Sequence, residues 1–349
     1  MNDPVSMACP LPDVGDGARI QLAHGEGGRL MRELLARHIL PPLSNDDPAD
    51  AADAAVLPAL DGPPVFTTDG YVVSPLFFPG GDIGSLAVYG TCNDLAVAGA
   101  RPRWMSLGFI IEEEFSLAAL DCIVASVAQA ARRAGVQVVT GDTKVVPKGA
   151  ADGLFVSTSG IGERVFELPG PATLQPGDAL LVSGPIGRHG IAVLAAREKL
   201  EFDPPPESDS GPLFPAVAAL RDAGVPVKAL RDATRGGTCA VLHEWSAACG
   251  ASILVEWESP LVTPEVRGVC ELLGLDPLHI ACEGTMVIAI PRKDADAALD
   301  ALRTVPISAN ATRIGTVIES RTAPVLIRRT SDRLVPLDEP LGAPLPRIC

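Results

Sequence analysis

The alternation of strand-like and helix-like segments is the feature that most limits the folds open to this chain. Short apolar runs at 136–140 and 179–183 have the length and composition of buried strands. Longer stretches at 116–134 and 237–249 have helical periodicity, the first with a serine at its N-terminus. A Pro- and Gly-rich stretch at 169–177 separates two such series. The sequence therefore predicts two mixed α/β domains, in each of which helices cover strands.

The predicted boundaries divide the 349-residue chain into four parts. Residues 1–40 are an N-terminal arm with a glycine turn and a helix, and residues 41–168 are the first α/β domain. Residues 169–335 are the second α/β domain. The last part, residues 336–349, contains four prolines, which forbid a helix and favour an extended segment. The chain is therefore expected to end in a flexible tail whose last residue is Cys349.

The charge and composition of the chain exclude several classes of function. The chain has 28 Lys and Arg residues against 43 Asp and Glu residues, a net charge of −15, so it gains nothing from counterion release on nucleic acids. Aromatic residues make up 4%, which leaves few stacking platforms for single strands. The sequence has no long apolar run, no signal-like N-terminus and, among its eight cysteines, no C-x-x-C pair. We therefore expect a cytoplasmic protein without nucleic-acid or membrane partners and without a structural zinc site.

Acidic residues beside glycines, near the ends of predicted strands, are the main functional signal. Asp69 and Asp142 each follow a predicted strand, and Asp232 comes shortly before a predicted helix. Taken alone, an Asp-Gly pair after a strand is usually a turn. Carboxylates are nevertheless the ligands that Mg²⁺ prefers, often together with phosphate oxygens, and a glycine-rich helix N-terminus offers N–H groups to phosphate. Several such carboxylates in one chain suit a magnesium–nucleotide site.

Three further carboxylates bear on such a site. Asp94 lies next to Asn93 inside an otherwise apolar predicted helix. A buried carboxylate needs a cation or hydrogen bonds, which favours a metal-binding or catalytic role for Asp94 over a surface position. Asp53 precedes an apolar run, and Glu283 precedes a glycine that is equally compatible with a turn. No Ser-His-Asp order and no zinc-ligand spacing is present, and His189 is expected to be structural or exposed.

The C-terminal cysteine has two interpretations. A solvated chain end tolerates almost any residue, so Cys349 is compatible with no role at all. The proline-rich spacer before it, by contrast, is suited to carrying a thiol away from the domain. Residues 321–349 contain five arginines against three acidic residues, a net charge of +2, which leaves −17 on the rest of the chain. The tail is therefore attracted to the rest of the protein, although salt screens much of the attraction.

Taken together, the motifs resemble those of the hydrogenase maturation carbamoyl dehydratase family, HypE, within the aminoimidazole ribonucleotide synthetase-like superfamily. The resemblance covers nearly the whole chain, and the C-terminal Pro-Arg-Ile-Cys is its most specific string. The acidic and glycine-rich strings are shared across the superfamily. Cys282 departs from the family pattern, in which we expect asparagine before the glutamate. The matching strings are His24–Gly28, Thr67–Val73, Pro75–Gly81, Asn93–Val97, Thr140–Val146, Arg231–Gly237 and Pro346–Cys349.

The resemblance implies a fold and a reaction. The fold would be two α/β domains of the aminoimidazole ribonucleotide synthetase-like type, with the N-terminal sheets of a homodimer pairing into a barrel. A partner carbamoyltransferase would load the thiol of Cys349 with a carbamoyl group, and the tail would then fold into the protein's own ATP site. ATP with Mg²⁺ would drive dehydration of this S-carboxamide to a thiocyanate. An iron-holding scaffold complex would receive the cyanide ligand for the [NiFe]-hydrogenase iron centre.

The resemblance also implies a role for each motif. Cys349 would carry the reacting group, and Lys144 would stabilise developing charge or orient the amide. Asp94 or Glu283 would accept an N–H proton. The implied Mg²⁺ ligands are Asp53, Asp69, Asp94 and Asp142. The implied mobile lid over the phosphates is formed by Gly25, Gly27 and Gly28. The other residues implied in ATP binding are Asp69, Asn93, Thr143, Asp232, Thr234, Gly236 and Gly237.

Two other classes of function stay open from the sequence. The first is another ATP-dependent enzyme of the same superfamily, such as selenophosphate synthetase, thiamine-phosphate kinase or aminoimidazole ribonucleotide synthetase. The glycine loop at 24–28 lacks the reactive cysteine and lysine of a selenophosphate synthetase, and none of these enzymes explains the tail that ends in cysteine. The second is a non-catalytic carrier that senses nucleotide and presents its tail to partners. The acidic motifs argue against a carrier.

Overall fold

The structure is a computed structural model that describes residues 18–43, 54–257, 262–328, 333–339, 342, 345 and 347–349. The helices among these residues are α1 (Gly28–Leu34), α2 (Leu40–Leu43), α3 (Ile83–Val97), α4 (Leu117–Ala134), α5 (Arg188–Arg197), α6 (Phe214–Asp222), α7 (Gly237–Cys249), α8 (Pro264–Leu273) and α9 (Ala295–Arg303). The strands are β1 (Pro64–Tyr71), β2 (Phe77–Phe78), β3 (Gly81–Asp82), β4 (Ala100–Glu112), β5 (Gln137–Val146), β6 (Leu154–Arg164), β7 (Ala179–Val182), β8 (Ala229–Asp232), β9 (Ser252–Glu256), β10 (Met286–Ile290), β11 (Thr312–Ile318), β12 (Val325–Arg328) and β13 (Leu334–Pro336). Within the described ranges, every helix is too short or too polar to span a lipid bilayer.

The described residues of the first domain form a sheet with helices on one face. The strand order is β1-β6-β4-β5, antiparallel except for the parallel pair β4–β5, which α4 connects. Helices α3 and α4 pack on the sheet, and their apolar side chains fill the core. Ser116 caps α4 by accepting the N–H of Ala119, as the sequence predicts, and Gly135 ends the helix in a left-handed conformation.

The opposite face of this sheet is directed to solvent in the described part of the chain. Phe66 on β1 is 66% exposed, and Ile110 on β4 is 38% exposed. The alternating exposure along β1 is typical of a strand with one solvent-facing side. An apolar face of this kind is compatible with the barrel of a homodimer, which stays a prediction.

Two strands of this sheet run further than the sequence predicts. Strand β1 continues to Tyr71, so Asp69 lies within the ladder that β1 forms with β6. Strand β5 continues to Val146, so Asp142 lies within the parallel ladder that β5 forms with β4. The expectation that these two aspartates follow strand ends is therefore wrong. The reason is that the 11-residue β6 and the 13-residue β4 extend the pairing past the glycines.

The described residues of the second domain form a sheet with the order β13-β12-β9-β11-β7-β10-β8. Neighbouring strands are antiparallel except for β9 and β12. Helix α7 packs on one face, and α6 and α9 pack on the other, which leaves β7 and β10 wholly buried. The short strands β8, β12 and β13 are not among the strands that the sequence predicts.

The described residues of the tail pack against both domains. Strand β13 extends the edge of the second sheet alongside β12. Leu345 and Ile348 are buried in an apolar core that includes residues of the first domain and of α5 and α8. The chain end therefore returns to the boundary between the two domains.

Candidate functional site

Four carboxyl side chains from the two domains gather at the domain boundary. Asp69 lies on β1 and Asp94 lies on α3, both in the first domain. Asp232 is the last residue of β8, and Glu283 lies just before β10. Burial raises the pKa values of Asp94, Asp232 and Glu283, and the charge of Asp69 raises each of these pKa values further. These four residues are the acidic cluster.

Burial makes two members of the acidic cluster unusual. Glu283 is 3% exposed, and burial, followed by the charges of Asp232 and Asp209, raises its pKa well above the usual range. Burial, followed by the charge of Asp94, raises the pKa of Asp232 to about 6. Carboxyl groups with such shifted pKa values are candidates for a general acid or base.

The acidic cluster has the chemistry of a magnesium site. Carboxylate oxygens are the hard ligands that Mg²⁺ prefers. The Oε1 atom of Glu283 is buried and has no hydrogen-bond partner among the described residues. The Thr67 hydroxyl donates to Oδ2 of Asp94 at 2.8 Å. A divalent cation would relieve the repulsion between Asp69 and Asp94, so these residues fit Mg²⁺.

The four predicted Mg²⁺ ligands do not converge within the described part of one chain. Asp53 lies outside the described residues. Asp142 is exposed on β5, which lies three strand spacings, about 14 Å, from β1. There Asp142 accepts a hydrogen bond from Lys144 at 2.7 Å, which lowers the pKa of Asp142. Over the described ranges, no three histidine, cysteine or acidic side chains are close enough to hold a metal ion.

The predicted lid glycines lie against β5. An added Cβ at Gly25 would lie 2.6 Å from the backbone nitrogen of Val145, so the turn and the strand are in close contact. Gly27 and Gly28 have φ angles of 78° and 81° and lead the chain into α1. The buried Thr143 is on the same strand. The structure therefore brings the lid glycines and Thr143 to one region of the first domain.

The turn after β8 has the geometry of an anion-binding helix N-terminus. Gly236 and Gly237 have φ angles of 79° and 60°, and the N–H of Gly237 donates to the carbonyl of Thr234 at 2.8 Å. An added Cβ at Gly237 would lie 2.6 Å from the carbonyl oxygens of Leu278 and Ile280. Only glycine fits this approach, and the first turn of α7 offers its N–H groups to an anion.

Asn93 joins the two domains next to the acidic cluster. Its Nδ2 donates to the carbonyls of Gly211 and Glu283, both at 3.0 Å. Its Oδ1 accepts the N–H of Leu213 at 2.8 Å. These contacts give Asn93 a positioning role beside Asp94, and its predicted contact with ATP stays a prediction.

The C-terminal residues bind alongside the segment that follows β1. The N–H of Val72 donates to the carbonyl of Cys349, and the N–H of Ser74 donates to the carbonyl of Arg347, both at 3.2 Å. The Arg347 side chain forms an ion pair with Asp152 at 2.7 Å. The last residues are therefore held by backbone and side-chain contacts with the first domain.

The thiol of Cys349 is within electrostatic range of the acidic cluster. Burial raises the pKa of this thiol to about 12, and the charges of Glu283 and Asp69 contribute to the rise. The guanidinium of Arg235, two residues before Gly237, opposes it. The sulfur is therefore held as a neutral thiol beside the side chains predicted to act on a group attached to it.

Two residues for which the sequence analysis predicts no catalytic role organise this region. Asp209 accepts the N–H groups of Glu283 at 3.0 Å and of Gly284 at 3.1 Å. His189 is fully buried and contacts the carbonyl of Ile348 at 2.6 Å, which confirms a structural role. Asp209 lies in a short polar run, a signal that does not distinguish a loop from a site.

Cys282, at the position where we expected asparagine, is a core residue. It is fully buried, and its Sγ accepts the N–H of Gly187 at 3.1 Å. Burial raises the pKa of its thiol well above the usual value. Cys282 is therefore a neutral thiol, and it packs beneath the loop that carries Glu283.

Known proteins with this architecture are similar to the chain over most of its length. Residues 51–164 match the AIR synthase related protein N-terminal domain, and residues 175–326 match the AIR synthase related protein C-terminal domain. Carbamoyl dehydratase HypE of Escherichia coli (strain K12) is 47% identical over 341 residues, which are 95% of this chain and 99% of that protein.

Two solved structures extend this similarity to three dimensions. The crystal structure of hydrogenase maturation protein HypE in complex with ATP has a TM-score of 0.88 and 42% identity, covering 94% of this chain and 99% of that one. The crystal structure of a HypE–HypF complex has a TM-score of 0.77 and 41% identity, covering 90% of this chain and 100% of that one. Both domains, the shared fold and the identity along the chain lead to one conclusion: the protein belongs to the carbamoyl dehydratase HypE family of hydrogenase maturation enzymes.

Proposed function

We propose that this protein uses ATP to dehydrate a carboxamide on the sulfur of Cys349 to a thiocyanate, the source of a cyanide ligand for the iron of a [NiFe]-hydrogenase. The observation that carries the proposal is the docking of the chain end beside β1, where the carbonyl of Cys349 accepts the N–H of Val72 and the charges of Glu283 and Asp69 raise the pKa of the thiol. A group attached to this sulfur is presented to the acidic side chains by the protein's own tail. The 47% sequence identity to carbamoyl dehydratase HypE of Escherichia coli supports the proposal.

The proposed reaction moves one oxygen atom from the carboxamide to phosphate. The carboxamide oxygen attacks the γ-phosphorus of ATP, the bond to ADP breaks, and one N–H proton leaves for a base. The second N–H proton is lost as the phosphorylated oxygen departs, which forms the carbon–nitrogen triple bond. The products are protein thiocyanate, ADP and inorganic phosphate. The protein's work is positioning and charge stabilisation, as in other phosphoryl transfers.

Glu283 is suited to accept an N–H proton of the carboxamide. An amide N–H is a weak acid, so the group that accepts its proton must be a strong base, with a high pKa. Burial and the surrounding carboxylates raise the pKa of Glu283, which gives it that property. Its Oε1 has no hydrogen-bond partner among the described residues, whereas Asp94 already accepts the hydroxyl of Thr67. Glu283 is therefore the first candidate for the base and Asp94 the second.

The proposed ligands of the nucleotide come from both domains. Bound Mg²⁺ would supply neutralisation of phosphate charge, with Asp69 and Asp94 as the ligands that the acidic cluster offers. Asp53 and Asp142 stay proposed ligands, and Lys144 stays the proposed charge-stabilising residue. The remaining proposed ATP contacts are Gly25, Gly27, Gly28, Asn93, Thr143, Asp232, Thr234, Gly236 and Gly237. The similar structure solved with ATP supports this part of the proposal.

The proposed assembly has three kinds of partner. A homodimer that uses the solvent-facing side of the first sheet would bring β5 of one subunit toward β1 of the other. The similar structure of a HypE–HypF complex supports a second protein partner, which we take to be the carbamoyltransferase that loads Cys349. An iron-holding scaffold complex would receive the cyanide, and all these steps would take place in the cytoplasm.

A mass measurement tests the proposed reaction. Protein carrying a carbamoyl group on Cys349 is incubated with MgATP, and it is expected to lose about 18 Da, one water, with release of one phosphate. Cys349→Ser is expected to bind ATP and to form no thiocyanate, because a hydroxyl lacks the nucleophilicity of a thiolate. Cys249→Ser, which removes another free and partly exposed thiol, is the matched control. An unchanged mass of the carbamoylated protein would contradict the enzyme and favour the carrier.

A further inference from the structure

The segment Ser208–Asp209 lies between the docked tail and Glu283. The N–H of Ser208 donates to the carbonyl of Pro79 at 2.9 Å, and Ser208 is buried. An added Cβ at Gly80 would lie 2.8 Å from the backbone nitrogen of Ser208. The segment is therefore seated closely against the first domain.

His189 connects Ser208 to the tail. A carbonyl only accepts hydrogen bonds, so the 2.6 Å contact between Nε2 of His189 and the carbonyl of Ile348 requires the proton on Nε2. Burial lowers the pKa of His189, so the ring is neutral, and its Nδ1 accepts the hydroxyl of Ser208 at 2.8 Å. Oγ of Ser208 in turn accepts the N–H of Ser210 at 3.1 Å. One arrangement of protons satisfies the whole series of hydrogen bonds and fixes the ring.

Asp209, the next residue, holds the loop that carries Glu283. Its Oδ1 accepts the N–H of Glu283 at 3.0 Å. Its Oδ2 accepts the N–H of Gly284 at 3.1 Å and the hydroxyl of Thr285 at 3.0 Å. An added Cβ at Gly284 would lie 1.7 Å from the carbonyl oxygen of Asp209, so the two backbones are in direct contact. The carboxylate and this contact together fix the backbone of Glu283.

We propose that Ser208 and Asp209 are positioning residues that align the sulfur of Cys349 with Glu283 for the dehydration. The inference rests on the proposed function, because it assigns how the two reacting groups are aligned. Ser208 acts on the tail through His189, and Asp209 acts through the backbone of Glu283. Because Ser208 and Asp209 are adjacent in one closely packed segment, they fix the position of the Cys349 sulfur relative to the Glu283 carboxyl group.

Alkylation of Cys349 tests the tail half of the proposal without ATP or a carbamoyl group. The rate of modification by iodoacetamide is followed on the C-terminal peptide by mass spectrometry, since the docked, half-buried thiol of Cys349 reacts slowly. Ser208→Ala is expected to raise this rate by about fivefold, the effect of one lost hydrogen bond. Ser210→Ala is the matched control and is expected to change it by less than about twofold, because its buried Oγ has no hydrogen-bond partner among the described residues.

Two substitutions of the ring complete this test. His189→Gln keeps an N–H donor and is expected to keep the alkylation rate within about twofold of wild type, whereas His189→Leu is expected to raise it like Ser208→Ala. Urea denaturation of each variant verifies that it is folded. Equal alkylation rates for Ser208→Ala and Ser210→Ala would overturn the role of Ser208.

A single-turnover measurement tests the glutamate half. Asp209→Asn is expected to lower the dehydration rate constant of the carbamoylated protein by at least about tenfold and to leave ATP affinity unchanged, because an amide cannot accept from all three donors. Asp203→Asn, at an exposed position of the same loop, is the control. Thr285→Val, which removes one donor, is expected to lower the rate by about threefold and replaces Asp209→Asn if that variant does not fold.

The failure of this inference is distinguishable from failure of the proposed function. A wild-type rate for Asp209→Asn or Thr285→Val would overturn the role of Asp209 while thiocyanate still forms. If the carbamoylated wild-type protein forms no thiocyanate, the proposed function itself is contradicted. In that case the alkylation rates still decide whether Ser208 positions the tail.

Discussion

At the scale of single residues, the site depends on carboxyl groups in unfavourable surroundings. Burial and mutual repulsion raise the pKa values of Asp94, Asp232 and Glu283. Burying charge costs free energy, and proteins keep such groups where chemistry requires them. Neutralising a member of the acidic cluster therefore affects reactivity and stability in different ways.

Removal of the proposed base separates chemistry from binding. Glu283→Gln is expected to lower the dehydration rate by at least about 100-fold, because an amide cannot accept the N–H proton. ATP affinity, measured by titration calorimetry, is expected to change by less than about threefold. Glu198→Gln, at an exposed position just after α5, is the control in the same intact-mass assay. A Glu283→Gln variant that keeps more than about a tenth of the wild-type rate contradicts the role of Glu283.

Neutralising Asp232 is expected to stabilise the protein in a pH-dependent way. Its folded-state pKa of about 6 is above the ordinary value of 3.8, so ionisation opposes folding above pH 6, and the penalty disappears as the pH falls toward 4. In metal-free buffer at pH 8, Asp232→Asn is expected to raise the free energy of unfolding by about 2 kcal/mol. Urea denaturation at pH 8 and pH 4 measures the difference. Asp300→Asn, on the exposed side of α9, is the control, and a pH-independent gain for Asp232→Asn contradicts the assignment.

At the scale of elements, the glycine turn before α7 determines where the helix N-terminus points. Gly237→Ala is expected to destabilise the protein by at least about 2 kcal/mol more than Gly274→Ala. Both glycines have positive φ angles, but an added Cβ meets two carbonyl oxygens at 2.6 Å only at Gly237, whereas Gly274 has open space. Urea denaturation compares the two variants, and equal losses would contradict the close approach.

The long elements could be predicted from the sequence because each carries its own signal. Helix α4 has a capping serine, a glycine stop and an apolar stripe, and it begins and ends where expected. The ends of β1 and β5 could not be predicted, since Asp69 and Asp142 beside glycines look like turn residues. Their pairing depends on partner strands that are distant in sequence.

The site was predictable only where one segment carries the signal. Asp94 was expected at a functional position because it is a carboxylate in an apolar helix, and the structure puts it in the acidic cluster. The alignment of Cys349 through His189 and Asp209 could not be predicted. It depends on contacts between segments that are far apart in the chain, which periodicity and spacing do not record.

At the scale of the whole molecule, two domains and the chain end meet at one place. The first domain supplies Asp69 and Asp94, the second supplies Asp232 and Glu283, and the tail supplies Cys349. The solvent-facing side of the first sheet is free for a second subunit in the described chain. The site therefore depends on relative domain position and, in our proposal, on dimerisation.

A charge on the solvent-facing side of the sheet tests the homodimer. Phe66→Asp is expected to shift the protein from dimer to monomer in sedimentation velocity, because a carboxylate cannot be buried without a partner. Leu272→Asp, at a 70% exposed position on α8 in the second domain, is the control and is expected to stay dimeric. A Phe66→Asp variant that remains dimeric contradicts an interface on this face.

The most direct test of the proposed chemistry follows the oxygen atom of the carboxamide. Protein carrying an ¹⁸O-labelled carbamoyl group on Cys349 is mixed with MgATP for a single turnover, and the released phosphate is examined by mass spectrometry. We expect one ¹⁸O atom in phosphate for each thiocyanate formed, because ATP phosphorylates the oxygen that leaves. Thiocyanate formed with unlabelled phosphate would contradict the proposed reaction.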